Sequence, residues 1–246
     1  MNATKELIDK LQRDILHWQG FKQQGAASAE AIGLGAIECA FPNGIFPKKA
    51  IHEFITVEPE HSAASAGFIA GILKTLLSKG GACLWISTSR TFFPPSLTAF
   101  NVAPERIIFI DAKEEKEVLW VMEQALKCGG LAAVIAEVKE INIIQSRRLQ
   151  LAIESSKVTG FLLRNDPQKL GSNTCVARWK ITPLPSVLED ELPGVGFPRW
   201  QVDLLRVRNG NPGSWKLEWV ADAFRPVVDV VEKEEAVVKQ IAGHYA

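Results

Sequence analysis

Residues 57–67, VEPEHSAASAG, set two glutamates, a histidine and two serines between the stretches AIHEFIT (50–56) and FIAGILKTLLSKG (68–80). The first stretch reads as a β-strand and the second as a helix. A strand, a tight loop and a helix N-terminus together are the usual place to hold a phosphate, because free N–H donors and the positive end of the helix dipole meet there. Full nucleotide chemistry at such a loop also needs a lysine for the β/γ charge and a hydroxyl for Mg²⁺. This loop has no lysine, and glycine appears only at its end, as Gly67. It reads as a vestigial phosphate loop kept for structure; a plain connecting loop is the alternative.

No other constellation offers a reaction. His17, His52, His61 and His244 lack metal-ligand spacing with carboxylates or thiols. Cys39, Cys83, Cys128 and Cys175 are scattered, with no C-x-x-C pair, so reduced thiols are expected and no metal. No Ser-His-Asp or Cys-His arrangement is legible, and no catalytic residue is assigned.

The elements around the loop define a class of fold. GACLWIS (81–87), ERIIFID (105–111), LAAVIAE (131–137) and VTGFLLR (158–164) are apolar strands, alternating with the helices KEVLWVMEQALKCGG (116–130) and SRRLQLAIESSK (146–157). Continuous apolar strands separated by helices predict a parallel sheet covered on both faces. CVARWKI (175–181) adds a strand after the polar loop 165–174, and RWQVDLLRVR (199–208) and SWKLEWVAD (214–222) flank NGNPG, a hairpin signal. Trp85, Trp120, Trp179, Trp200, Trp215 and Trp219 are expected to be mostly core, with Trp215 and Trp219 on one hairpin face as a candidate contact patch. KELIDKLQRDILHWQG (5–20) predicts an amphipathic helix, followed by a small, polar linker.

Lys+Arg and Asp+Glu balance at 28 each in 246 residues, so no global basic field points to nucleic acid or membrane. No stretch approaches the ~20 apolar residues of a membrane span, and a cytoplasmic location is expected.

A parallel sheet entered through a phosphate-type loop and closed by antiparallel hairpins resembles a RecA-like ATPase core. RecA proteins carry a loop of the form GPESSGKT. Against it stand Glu58, Pro59, Glu60, His61, Ser62, Ala63, Ala64 and Ser65. Pro59, Glu60 and Ser62 match and Ser65 is conservative, whereas Glu58, Ala63 and Ala64 replace the two glycines and the lysine. The resemblance also puts Ser89 in place of the catalytic glutamate, and Ala136 or Glu137 at the Mg²⁺-associated position. The overall pattern is similar to the ImuA family, through FPNGIFPKKAIHEF (41–54), LWISTSRTFFPPSL (84–97), SRRLQLAIES (146–155) and FPRWQVDLLRVRNGNPGSWKLEW (197–219).

The resemblance implies an α/β, RecA-like three-layer core at 36–225, with a mostly parallel central sheet and a C-terminal antiparallel hairpin. Segment 1–35 is expected as helix and linker and 226–246 as a tail; both are first guesses for docking segments. It implies no ATP hydrolysis and no cofactor, and a nucleoid-associated accessory role in damage-induced, error-prone translesion synthesis. The expected partners are RecA, an ImuB-type Y-family-like protein and an error-prone polymerase, with oligomerisation left open. Arg206 and Arg208, spaced i, i+2 on a strand, point the same way and are candidates for reaching a phosphate of a neighbouring ATPase. Solvated arginines are the alternative. Loop 165–174 sits where RecA binds DNA, yet holds one basic residue, Lys169, beside Asp166, and no aromatic; it promises weak DNA contact alone. Arg147 and Arg148 are a secondary partner or DNA candidate. Two other functions stay open: a SulA-like cell-division inhibitor, and an ATPase with an unorthodox loop.

Overall fold

The computed structural model describes residues 31–187 and 196–227. The expected helix at 5–20 and the tail from residue 228 onward lie outside the described residues. The compact unit that carries the sheet begins at Ile32.

One nine-stranded sheet runs through the molecule in the order β3-β2-β4-β5-β1-β6-β7-β8-β9. Its strands are β1 (Ile51–Thr56), β2 (Ala82–Ser87), β3 (Ile107–Asp111), β4 (Leu131–Val138), β5 (Thr159–Asn165), β6 (Ala177–Leu184), β7 (Arg199–Val207), β8 (Gly213–Val220) and β9 (Ala223–Pro226). Every pairing from β3 across to β6 is parallel, and every pairing from β6 to β9 is antiparallel. Among the described residues three α-helices cover it: α1 (Pro59–Leu77), α2 (Glu115–Leu126) and α3 (Ile143–Ser156).

Side-chain alternation along the strands sorts the core into two dry layers. On the α1 side, Phe54, Phe68, Phe161, Trp179 and Trp200 pack with Ile69, Ile72 and Leu73. On the other side, Val134, Leu162 and Ile86 pack with Met122 and Leu126 of α2 and Leu149 and Ile153 of α3. The antiparallel strands are buried only on the α1 side, where Trp179, Ile181, Val202, Leu204, Leu217 and Trp219 are all buried. An antiparallel sheet tolerates this one-sided covering because its polar alternate residues face water.

The three-layer α/β expectation holds, with specific corrections. Helix α1 starts at Pro59, nine residues before the expected Phe68, so most of the expected loop is helix. Proline suits the first helical turn, where its missing N–H has no partner to lose. A ninth strand, β9, pairs with β8. Trp120 is 60% exposed on α2, not core. Trp219 is buried, its indole N–H donating to the Ala99 carbonyl at 3.0 Å, and Trp215 is packed against the same core, so the hairpin presents no tryptophan patch. Helix α1 lies close on β8 and β9: a Cβ at Gly71 would sit 2.4 Å from the Phe224 ring and 2.9 Å from Trp219.

Candidate functional site

The connection from β1 to α1 consists of Val57 and Glu58 alone. Glu58 takes the N-cap position, and its backbone N–H points to Nδ1 of His61 at 3.4 Å. Pro59, Glu60, His61, Ser62 and Ala63 form the first turns of α1, with Glu58, Glu60 and Ala63 exposed. Ala64 and Ser65 turn inward, and the Ser65 hydroxyl is buried with no hydrogen-bond partner among the described residues. A phosphate loop wraps its anion in a run of non-helical backbone N–H groups. Here that run is absent, the lysine position is a buried alanine, and two carboxylates flank the helix start. The segment offers a triphosphate no lysine and sets Glu58 and Glu60 at the helix start.

The carboxyl ends of the parallel strands, where open α/β sheets bind ligands, are closed by a hydrogen-bonded chain across four strands. Trp85 of β2 donates its indole N–H to Oε1 of Glu137 at 2.6 Å. Asn165 of β5 donates to Oε2 of Glu137 at 3.3 Å and accepts from the Thr56 hydroxyl of β1 at 2.7 Å. Of the two residues considered for the Mg²⁺-associated position, Ala136 is buried in the α2–α3 layer. Alternation therefore turns Glu137 to the α1 side. Burial pushes its carboxyl above the ordinary range, against the two hydrogen bonds that lower it. Ser89 is exposed beyond β2. No cluster of three His, Cys, Asp or Glu suited to a metal occurs among the described residues.

Arg206 and Arg208 act elsewhere. Strands β5 and β6 flank β1 and run parallel to it, so residues 166–176 must cross the sheet between them. They cross as an extended strap rather than a helix, and such a strap cannot satisfy its own backbone carbonyls. Four arginines do so. Arg164 donates to the Lys169 carbonyl at 2.9 Å and Arg178 to the Gly171 carbonyl at 2.7 Å. Arg208 donates to the Thr174 carbonyl at 2.6 Å, and Arg206 to Oδ1 of Asn173 at 2.5 Å and the Cys175 carbonyl at 3.3 Å. The two candidate arginines thus share one target, and it belongs to their own chain. Burial, and then the neighbouring Arg178 cation, lower the Arg206 guanidinium below its ordinary value.

Two carboxylates hold this cluster together. Glu53, fully buried in β1, accepts from Arg164 at 3.0 Å and from Arg178 at 2.6 Å. Glu140 accepts from Arg164 at 2.6 Å and from the backbone N–H of Gln168 at 2.8 Å. Loop 165–174 is therefore pinned at both ends, with Lys169 and Leu170 exposed along it. Sequence reasoning missed Glu53, Arg164 and Arg178. Their signal was a charge inside an otherwise apolar strand, as in AIHEFIT and CVARWKI. Arg148 pairs with Glu123 of α2 at 2.5 Å, and Arg147 bonds Gln150 of its own helix at 2.9 Å.

Six parallel strands passing into an antiparallel extension, with helices on both faces, define a RecA-like core. No protein-family model matches the chain. Protein ImuA of Caulobacter vibrioides, in strains NA1000 / CB15N and CB 15, is 34% identical over 200 residues, 76% of this chain and 82% of the relative. The chain belongs to the ImuA family.

Proposed function

We propose that this protein is a non-catalytic accessory factor of damage-induced translesion synthesis. Family membership is the observation that carries the reading. The junction of β1 and α1 supports it independently, because a triphosphate would meet Glu58 and Glu60 where it needs a lysine and a cradle of amides. In this reading the protein links RecA at damaged DNA to an ImuB-type Y-family-like partner and an error-prone polymerase. It binds no nucleotide itself. Arg206 and Arg208 serve the contact with RecA, exchanging the strap groups they now hold for a phosphate at the neighbouring ATPase site.

The test is a titration of the full chain with labelled ATP and Mg²⁺, with phosphate release followed in the same samples, alone and with RecA on single-stranded DNA. The expected result is neither binding nor turnover alone, and an altered RecA rate on mixing. Turnover by the protein alone means that the chain is an ATPase, and an unchanged RecA rate removes RecA as its partner. Arg206→Ala with Arg208→Ala is expected to abolish the effect on RecA.

A further inference from the structure

The antiparallel half of the sheet leaves one face uncovered by the described residues. Among the described residues no helix packs on the side of β6–β9 opposite α1. Register fixes which side chains share that face, since directly opposed residues point the same way. Lys180 lies opposite Asp203, Gln201 opposite both Thr182 and Lys216, and Glu218 opposite both Arg199 and Arg225.

The charges on the face do not cancel. Its carboxylates are Asp203 and Glu218, and both are engaged. Asp203 accepts from Ser214 at 2.6 Å and from Gln201 at 3.3 Å, and Glu218 pairs with Arg199 at 2.8 Å. Four cations stand against them: Lys180, Arg199, Lys216 and Arg225. The side chains of Lys180 and Arg225 have no hydrogen bond or ion pair among the described residues, whereas Lys216, like Arg199, is already engaged. Behind one edge lies the strap cluster, where four arginines face Glu53 and Glu140 and add further positive charge.

We infer that this open face binds the phosphate backbone of single-stranded nucleic acid. The neutral groups between the cations are the hydroxyls of Thr182 and Ser214 and the amide of Gln201, all able to donate to phosphate oxygens. A protein partner would ask for an apolar centre, and this face keeps its aliphatic side chains, Leu184, Leu205 and Val220, at the margins. The tryptophans of these strands point the other way, and the exposed Phe197 stands at the margin beside Val220, so no aromatic sits among the cations to stack bases. The contact is therefore electrostatic and indifferent to sequence. The inference rests on charge and register alone, and it survives even if the RecA link proposed above fails.

The experiment is fluorescence anisotropy of a labelled oligothymidylate titrated with the full chain between 50 and 200 mM salt. Engagement of about two phosphates by Lys180 and Arg225 gives a slope of log K against log salt near −1.4, at ~0.7 per phosphate of a single strand. Lys180→Gln with Arg225→Gln should cut the slope by about 1.4 and weaken binding at least tenfold at low salt. Lys116→Gln, on α2, should leave binding unchanged, and thermal midpoints confirm that each variant folds. No binding at 50 mM salt, or equal binding by the double variant, overturns the inference. So does poly-glutamate competing as well as the oligonucleotide at equal charge, which would assign the face to an acidic protein instead.

Discussion

Glu53 and Arg164 stand on neighbouring parallel strands and form an ion pair at 3.0 Å, with side-chain exposures of 0% and 1%. Such a pair is not placed there for stability alone. Its desolvation cost is comparable to its attraction, and well-packed apolar residues often do as well. What it does here is fix Arg164 and Arg178, which in turn hold the strap over β1.

Removing one partner strands the others. Glu53→Gln leaves Arg164 and Arg178 without their shared carboxylate, and breaking a buried pair costs about 3–5 kcal/mol. Urea unfolding should show that loss. Trypsin should then cut after Lys169 faster than in the wild-type chain. A wild-type rate of cleavage at Lys169 in the variant would show that the strap does not depend on Glu53.

His52 gives stability a sign with pH. It is fully buried, stacked on Phe46 at 4.4 Å, with Nε2 bonded to the Pro47 carbonyl at 2.9 Å and Nδ1 accepting from Trp179 at 3.3 Å. Burial lowers its pKa from 6.5 to about 4, against the Pro47 bond that raises it. The unfolded chain therefore binds the proton first as pH falls. Stability contributed by neutral His52 is intact above pH 6.5 and lost progressively down to about pH 4, by roughly 3 kcal/mol in all. Glu137 has the opposite sign, because its raised pKa costs stability as pH climbs through it. Denaturant midpoints from pH 4 to 7 should flatten in His52→Phe; an unchanged pH slope there would mean His52 is not the group that titrates.

Gly71→Ala tests the approach of α1 to the hairpin. Alanine gains about 1 kcal/mol in helix propensity. The new methyl nonetheless meets two aromatic rings, at 2.4 Å and 2.9 Å, and overpacking costs about 1–3 kcal/mol. The expected outcome is net destabilisation with red-shifted tryptophan emission. A higher melting midpoint would show that Phe224 moves aside freely.

Restoring the lysine should not restore nucleotide binding. In Ala64→Lys, alone or with Ala63→Gly, the β1–α1 connection still has two residues, too few for a cradle of amides. Equilibrium dialysis with labelled ATP should find no gain. Micromolar binding by the double variant would mean that the helix start can unwind.

What the sequence made legible follows from how local each signal is. Strands β2, β4 and β5 announced themselves because both of their faces are largely buried, giving nearly unbroken apolar runs, and NGNPG marked the hairpin. The start of α1 was misplaced because Glu58–Ser65 was weighed as a phosphate loop, although Pro59 and the alanine-rich HSAASAG suit a helix as they stand. Strand β9 escaped because it is short and ends in Pro226, which an edge strand tolerates. The charges of the strap cluster were visible inside apolar strands, but their partners were beyond sequence reading. Glu53 meets partners 111 and 125 residues away, and only the parallel placement of β5 and β6 around β1 brings them together. The two candidate arginines were found by their spacing, but spacing alone did not say that their own chain holds them.

The junction of Val57 and Glu58 has a mechanical meaning as well as a chemical one. A two-residue connection leaves little slack between the first strand and the first helix. Here the strand runs into Pro59 after two residues, with φ fixed by the ring, and Gly71 seats the helix against the far hairpin. Helix α1 is thus anchored to the sheet twice, at β1 through the short junction and at β8 and β9 through the Phe224 and Trp219 rings.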